Sequence, residues 1–129
     1  MPTEQIDKGP KFEIRAWSPG GRCQVLDFLN ELKINVPLDY VRLLNIIKRT
    51  VNEGIFHNNR QNRSLGNDIF EFKAVGTSRI MFFYDEGKLI ICSHGFTGKK
   101  GGEKKFINSQ IKKAIDARTE YFNELRSAK

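Results

Sequence analysis

Apolar and charged residues alternate near the start of the chain. In Lys11–Trp17, every second residue is apolar, which is the pattern of a strand with one buried face. Ser18–Gly21 supplies the serine, proline and glycines that favour a turn, so the strand should end there. We expect residues 1–10, before the strand, to form a loose leader.

Two amphipathic helices are predicted next, because apolar residues then recur every three to four positions. The first helix is expected over Arg22–Lys33. The second has a helix-start signal at Pro37 and a helix-stop signal at Gly54. The short break at Asn35–Pro37 predicts that the two helices form an antiparallel pair.

Three strands and a final helix are predicted in the second half of the chain. Phe56–Asp68 is polar and basic without a period, so we expect a loop. Strands should follow at Ile69–Val75, Arg79–Asp85 and Lys88–Phe96. Their connections are too short for parallel crossovers, which predicts an antiparallel meander. Phe106–Leu125 has the apolar stripe of an amphipathic helix.

This order of elements predicts a single α+β domain over residues 1–129. The first strand most simply joins the meander, and the helix pair packs on one face of the sheet. No stretch approaches the ~20 apolar residues of a membrane span, and the N-terminus has no signal-peptide pattern. We therefore expect a cytoplasmic protein without a membrane partner. Cys23 and Cys92 do not make a disulfide framework or a zinc site, so reduced thiols are expected.

Positive charge is concentrated in the later part of the chain. The net charge is +7, from 22 Lys and Arg against 15 Asp and Glu. Residues 1–40 hold five basic and six acidic residues, whereas residues 41–129 hold seventeen and nine. A basic field of this kind attracts nucleic acid, an acidic protein or an anionic membrane surface. Solubility alone is the simpler explanation.

The strong catalytic and metal-binding motifs are absent from the sequence. It contains no CxxC pair, HExxH, Walker loop or GxSxG. His57 and His94 are far apart along the chain, which gives a metal site little support, and we predict no cofactor. Cys92 is two residues from His94, so both should point to the same face of one strand. Nothing else in that stretch supports a Cys–His nucleophile.

A set of cationic residues at the ends of the meander remains as the candidate for chemistry. Lys73, Arg79 and His94 lie at corresponding places on the three predicted strands. Cleaving RNA needs a base for the ribose 2′-OH, a cation for the phosphate and a proton donor for the leaving 5′-oxygen. His94 can transfer protons near neutral pH, and Tyr84 or Tyr121 can donate one if it is close enough. Further cations that can hold phosphates are Arg60, Arg63, Lys99, Lys100, Lys104 and Lys105.

Each of these residues also has a structural explanation. His94 can be a buried histidine with both ring nitrogens bonded. Arg79 can pair with Glu71, and the lysine pairs can simply form a solvated surface. Taken alone, the residues therefore predict a small basic α+β domain that binds nucleic acid.

Several motifs in the second half resemble one branch of a toxin family. In order, they are "FEFK", "SRIMFFY", "KLIICSHGF", "GKKGGEKK" and "QIKKAIDARTEY". Over residues 65–125 this set resembles the phage-derived, HigB-like branch of the RelE/ParE toxin superfamily. The resemblance implies the toxin of a type II toxin–antitoxin pair, with a cognate antitoxin as partner. It also implies a metal-independent endoribonuclease that cuts mRNA at the 16S rRNA surface of the ribosome.

The resemblance assigns roles to individual positions. Arg79 matches the strand arginine of the family, and His94 matches the histidine of its His-Gly-Phe motif. Lys99 and Lys100 match the loop lysines, while Lys104 or Lys105 lies near the next basic position.

Two departures and two alternatives accompany the resemblance. Lys73 stands where the family usually has arginine, so the charge is kept but the bidentate fork is lost. "KKFIN" replaces the expected Thr-Pro before the last helix. ParE members act on DNA gyrase and are not nucleases, and fold alone does not decide function. A gyrase inhibitor and a non-catalytic nucleic-acid-binding protein therefore stay open.

Overall fold

A computed structural model describes residues 2–54, 62–74, 78–98 and 103–127. The described strands are β1 (Thr3–Lys8), β2 (Glu13–Trp17), β3 (Asn62–Gly66), β4 (Ile69–Lys73), β5 (Ser78–Tyr84) and β6 (Leu89–Thr97). The described helices are α1 (Gln24–Asn35), α2 (Pro37–Glu53) and α3 (Glu103–Ser127). A short 3₁₀ turn, Pro19–Gly21, lies within the predicted turn after the first strand.

The described strands form one mixed sheet in the order β1-β2-β6-β5-β4-β3. Neighbours are antiparallel except β2 and β6, which run parallel. The predicted α+β class and the meander β4-β5-β6 are therefore confirmed. The strand predicted at Lys11–Trp17 is β2, and it joins the meander at β6. Helix α2 ends at Gly54, whose φ of 100° favours glycine.

Helices cover both faces of the sheet. One apolar cluster joins α1 and α2 to residues of β2, β4, β5 and β6, including Ile14, Ile80 and Ile90. A second cluster joins α3 to the opposite face, where Phe83 and Ile91 are buried. Along β5 and β6 the apolar residues therefore alternate between two covered faces, which is why these strands read as continuous apolar runs.

The expectation of a loose leader over residues 1–10 is wrong for Thr3–Lys8. These residues form β1, which pairs antiparallel with β2 along one edge of the sheet. Glu4 and Gln5 are exposed, so the strand buries little apolar surface and depends mainly on backbone pairing. An apolar-polar alternation detects buried faces, and a polar edge strand has almost none.

The loop predicted over Phe56–Asp68 is also partly wrong. Asn62–Gly66 forms β3, which is paired with β4 in an antiparallel hairpin. Asn67 and Asp68 form its two-residue turn, with φ values of 55° and 61°. Asparagine and aspartate tolerate positive φ better than other non-glycine residues, as this turn requires. Residues 55–61 lie outside the described part of the chain.

A β-bulge separates Cys92 from His94, so the expectation that they share a face is wrong. Met81 pairs with His94 and the next residue, Phe82, pairs with Cys92, which leaves Ser93 as the extra residue. An extra residue reverses the alternation of side chains along one strand. Cys92 accordingly lies in the core beneath α1 and α2, whereas His94 contacts Gln110 of α3.

Candidate nucleic-acid interface

Two neighbouring rows of residues cross the meander on the face that α3 covers. In one row Glu71 of β4 pairs with Met81 of β5, and Met81 pairs with His94 of β6. In the adjacent row Lys73, Arg79 and Phe96 are paired in the same way. Directly paired residues share a face of the sheet. The three predicted catalytic residues, Lys73, Arg79 and His94, are therefore on one face.

Arg79 is buried and forms an ion pair with Glu71. Arg79 Nη1 lies 3.6 Å from Glu71 Oε2, and the side chains are 7% and 0% exposed. The two residues are on the same face in successive rows, which places the carboxylate next to the guanidinium. The structural alternative of an Arg79–Glu71 pair is thus confirmed, and the carboxylate balances much of the positive charge at this point. Lys73, beside Arg79, is half-buried.

His94 is buried, and both of its ring nitrogens have hydrogen-bond partners. Nε2 lies 2.9 Å from Gln110 Oε1, and Nδ1 lies 2.8 Å from Ser93 Oγ. Because an amide oxygen only accepts, Nε2 donates to Gln110, and Nδ1 then accepts from the Ser93 hydroxyl. Burial, with a smaller contribution from the positive charge of Lys113, lowers the pKa of His94 from 6.5 to about 4. The ring is therefore neutral at pH 7.

The first turns of α3 cover this part of the sheet. The ring of Phe106 packs edge-on against Phe96, with centroids 5.5 Å apart, and Phe96 stacks against His94 at 5.9 Å. On the same turns, Lys104 and Lys105 are exposed. The first turns of α3, which carry these exposed lysines, thus contact Phe96 of one row and His94 of the other.

The other predicted cations are not fully described. Arg60, Lys99 and Lys100 lie outside the described residues. Arg63 lies on β3 in register with Glu71, while its side chain falls outside the description. Their predicted contact with nucleic acid stays a prediction.

The two tyrosines considered as proton donors lie at the far end of the sheet. Tyr84 ends β5 and packs beneath α1 and α2, on the face opposite His94. Tyr121 donates a hydrogen bond to Asp85 Oδ2 at 2.5 Å, just beyond β5. Burial, followed by this bond to Asp85, raises the pKa of Tyr121. Neither tyrosine can protonate a leaving group beside Arg79.

The thiols and the acidic side chains are the other candidate nucleophiles and metal ligands. Cys23 and Cys92 are both free and buried, and burial raises the pKa of each thiol. Within residues 2–54, 62–74, 78–98 and 103–127, no three His, Cys, Asp or Glu side chains are grouped as metal ligands. Over the same ranges, no helix is both long and apolar enough to cross a bilayer.

Sequence reasoning missed one residue of this site and underrated another. Gln110 was not singled out, although it fixes the tautomer of His94 through its bond to Nε2. Glu71 is predicted only as a structural partner of Arg79, yet it also lies in register with Arg63 of β3. The sequence does indicate that Glu71 belongs to the site, since residues two apart on a strand share a face and Lys73 is a predicted site residue.

The exposure of the side chains on the two rows and on α3 determines which chemistry they can perform. Lys73, Lys104 and Lys105 reach solvent and can hold phosphate oxygens. Arg79 is within the same row as Lys73 and supplies a second cation behind it. His94 can exchange a proton with a ligand only if the Gln110 side chain first leaves Nε2.

Comparison with protein families assigns most of the chain to a family. A family model described as "Phage derived protein Gp49-like" matches residues 27–119, well over half of the chain. No curated protein matches the chain. The matched segment runs from α1 to α3 and contains the whole meander, and the finding agrees with the superfamily that the sequence motifs indicated. The chain therefore belongs to the Gp49-like family of phage-derived proteins, a toxin-like family of the toxin–antitoxin type within the RelE/ParE-like toxins.

Proposed function

We propose that this protein is a HigB-like toxin that cleaves mRNA, acts in the cytoplasm at the ribosome and is restrained by a cognate antitoxin. The observation that carries the proposal is the pair of rows on the meander. They place Lys73, Arg79 and His94 on one sheet face, next to the exposed Lys104 and Lys105 of α3. A polyanion held along this surface has its phosphates beside cations of two different elements.

The cleavage proposed here uses only side chains of the protein. His94 takes the proton of the ribose 2′-OH, and the 2′-oxygen forms a bond to the adjacent phosphorus. The bond from phosphorus to the 5′-oxygen breaks, His94 returns the proton to that oxygen, and a 2′,3′-cyclic phosphate remains. Lys73 and Arg79 stabilise the charge that builds on the phosphate. Lys104 and Lys105, with Arg60, Arg63, Lys99 and Lys100, hold mRNA or 16S rRNA.

Proton transfer by His94 requires a change at α3. A histidine with a pKa near 4 is a weak base at pH 7, and Gln110 occupies Nε2. In the proposal, bound RNA or ribosome displaces the first turns of α3. Solvent then reaches the ring, the desolvation that lowers its pKa is relieved, and the pKa rises toward 6.5.

A second candidate function is supported by the burial of the same residues. His94 is hydrogen-bonded at both nitrogens, and the charge of Arg79 is balanced by Glu71. Both features suit a protein that acts without cleaving RNA. A ParE-like inhibitor of DNA gyrase and a non-catalytic nucleic-acid-binding protein are the two forms of this candidate.

Induced expression in a bacterium, followed by primer extension on abundant transcripts, separates these functions. Lys73→Ala removes an active-site cation, and Lys88→Ala removes the same charge from an exposed turn at the opposite end of the sheet. The proposal predicts discrete cuts in translated mRNA with wild type and Lys88→Ala, and loss of the cuts with Lys73→Ala. Growth arrest with intact mRNA and broken DNA would establish the gyrase candidate instead.

A further inference from the structure

Four large apolar side chains lie exposed at the tip of the α1–α2 hairpin. Ile34 is 80% exposed, Leu38 59%, Val41 49% and Val36 39%, and these are all the large hydrophobic residues that are exposed in the described part of the chain. They fall within eight consecutive positions, Ile34–Val41. Scattered single apolar residues on a surface need no explanation, but a group with this spacing marks an interaction site.

On α2 the exposed apolar residues continue into a basic stripe. Leu38, Val41, Asn45 and Lys48 are all exposed and are spaced by three, four and three residues, so they lie on one side of the helix. Exposed Arg49 flanks Lys48. We call these five residues the α2 outer face. The opposite side of α2 is buried against the sheet through Leu43, Ile46, Ile47 and Val51.

The acidic residues of α2 leave this face positive. Asp39 is buried and accepts a hydrogen bond from Ser78 Oγ at 2.6 Å, so it points into the core. Glu53, at the end of the helix, lies 3.7 Å from Arg49 in a largely exposed pair, which is a weak interaction in water. Lys48 is exposed at the end of the stripe, next to Arg49. The face therefore combines an apolar half with a cationic half.

The apolar and cationic halves of this face favour one of three possible ligands, namely a nucleic acid, a second copy of the chain or a partner protein. Phosphates bind cations, and bases stack on aromatic rings, so a nucleic acid leaves the leucine, isoleucine and valines unused. A second copy of the chain would bring Lys48 and Arg49 towards equal charges, and the net charge of +7 opposes self-association. A partner with apolar side chains followed by carboxylates satisfies both halves.

We propose that the α2 outer face binds an amphipathic acidic helix of a partner protein. Apolar side chains of that helix pack on Leu38 and Val41, with Ile34 at the edge, and its carboxylates face Lys48 and Arg49. The outer side of α1 carries exposed Asp27 and Glu31, which repel carboxylates, so the bound helix follows α2 rather than α1. Identifying the partner as the antitoxin depends on the proposed function, but the chemistry of the bound helix does not.

The α2 outer face is separate from the candidate nucleic-acid interface. Helix α2 packs on the sheet face that carries Ile14 and Ile80. The residues Lys73, Arg79 and His94 lie on the face covered by α3. A partner bound to α2 therefore lies on the opposite face of the sheet from Lys73, Arg79 and His94.

Synthetic peptides of about 20 residues test the proposal, since this length is long enough for a stable helix in water. The first peptide carries leucines along one half of a helical stripe and glutamates along the other half. A second peptide has lysine in place of each glutamate, and a third has serine in place of each leucine. Binding of each to the full-length protein is measured by fluorescence anisotropy.

The variants separate the apolar half from the charged half. The Leu38→Asn/Val41→Asn double change should lower the affinity for the glutamate peptide at least about tenfold, a loss of about 1.4 kcal/mol of binding free energy. Lys48→Glu/Arg49→Glu should weaken binding of the glutamate peptide and tighten binding of the lysine peptide. Asp27→Lys/Glu31→Lys, the matched control on α1, should leave glutamate-peptide binding unchanged or slightly tighter. All changed side chains except that of Val41 are either polar or more than half exposed, and circular dichroism confirms that each variant is folded.

Three outcomes would overturn the proposal. One is equal binding of the glutamate and lysine peptides to wild type, and another is no measurable binding of the glutamate peptide. The third is a concentration-dependent dimer, seen by analytical ultracentrifugation and abolished by Leu38→Asn/Val41→Asn, which would make a second copy the occupant. Peptide binding uses no ribosome or RNA, so an absence of mRNA cleavage would contradict the proposed function without altering these results.

Discussion

Replacing Arg79 by alanine should destabilise the protein strongly, because it leaves the carboxylate of Glu71 buried without its guanidinium partner. Glu71 is fully buried and lies 3.6 Å from Arg79. Breaking a buried ion pair from one side costs about 3–5 kcal/mol, whereas a domain of this kind is stable by about 5–15 kcal/mol in total. Arg79→Ala should therefore lose between about a fifth and all of the free energy of unfolding, measured by urea denaturation followed by circular dichroism.

A double change distinguishes the charge effect from loss of packing. Glu71→Leu combined with Arg79→Met replaces the pair with apolar side chains, and such replacements are often neutral or stabilising. We expect the double variant to recover most of the stability that Arg79→Ala loses. A loss below about 1 kcal/mol for Arg79→Ala, the range of exposed pairs, would refute the reasoning. Because Arg79→Ala is expected to destabilise the fold, a loss of activity in that variant would not identify a catalytic role. Lys73→Ala, at a half-buried position, is therefore the better probe of activity.

Three further predictions concern the strand β6 and the helix α3. A Cβ atom at Gly95 would clash with the ring of Phe28, so Gly95→Ala should lower the free energy of unfolding by about 1–3 kcal/mol. Thermal unfolding should show this loss, and Phe28→Leu should restore part of it. The pKa of His94 is about 4 in the folded protein and 6.5 in the unfolded chain. Below pH 6.5 the unfolded chain therefore binds a proton that the folded protein does not. The free energy of unfolding should fall by roughly 3 kcal/mol between pH 6.5 and pH 4. Urea denaturation across this pH range should show the fall, and His94→Gln should flatten it; an equal slope in both proteins would contradict the assignment. Lys104→Ala and Lys105→Ala should each lower the slope of log affinity for RNA against log salt by about one, and an unchanged slope would remove these lysines from the interface.

The buried elements were predictable because their apolar residues repeat with the period of a strand or a helix. The meander, both helices of the hairpin and α3 all have such a stripe, and each was found within a few residues of its true bounds. Strands β1 and β3 lie at the two edges of the sheet. Edge strands are held largely by backbone hydrogen bonds, so their side chains carry little of that pattern. The Asn67–Asp68 turn was a usable signal for β3, because two such residues favour a hairpin.

The candidate site was predictable only in part. The hairpin register pairs Lys73 with Arg79, whereas His94 lies on their face because of the bulge at Ser93. The bulge at Ser93 and the bond from His94 to Gln110 depend on contacts between β6 and α3, which no local pattern records. The burial of Arg79 and His94 and the exposure of Lys104 and Lys105 are therefore known only from the folded structure.

The chemistry of the RNA ends formed in cells tests the central claim most directly. After brief induction, the new 3′ ends of cleaved transcripts are isolated and their terminal groups identified, with Lys88→Ala as the matched control for Lys73→Ala. The account predicts 2′,3′-cyclic phosphate ends in wild type and Lys88→Ala, and their absence in a folded Lys73→Ala variant. Growth arrest with intact transcripts, or with ends that carry a free 3′-hydroxyl, would contradict it.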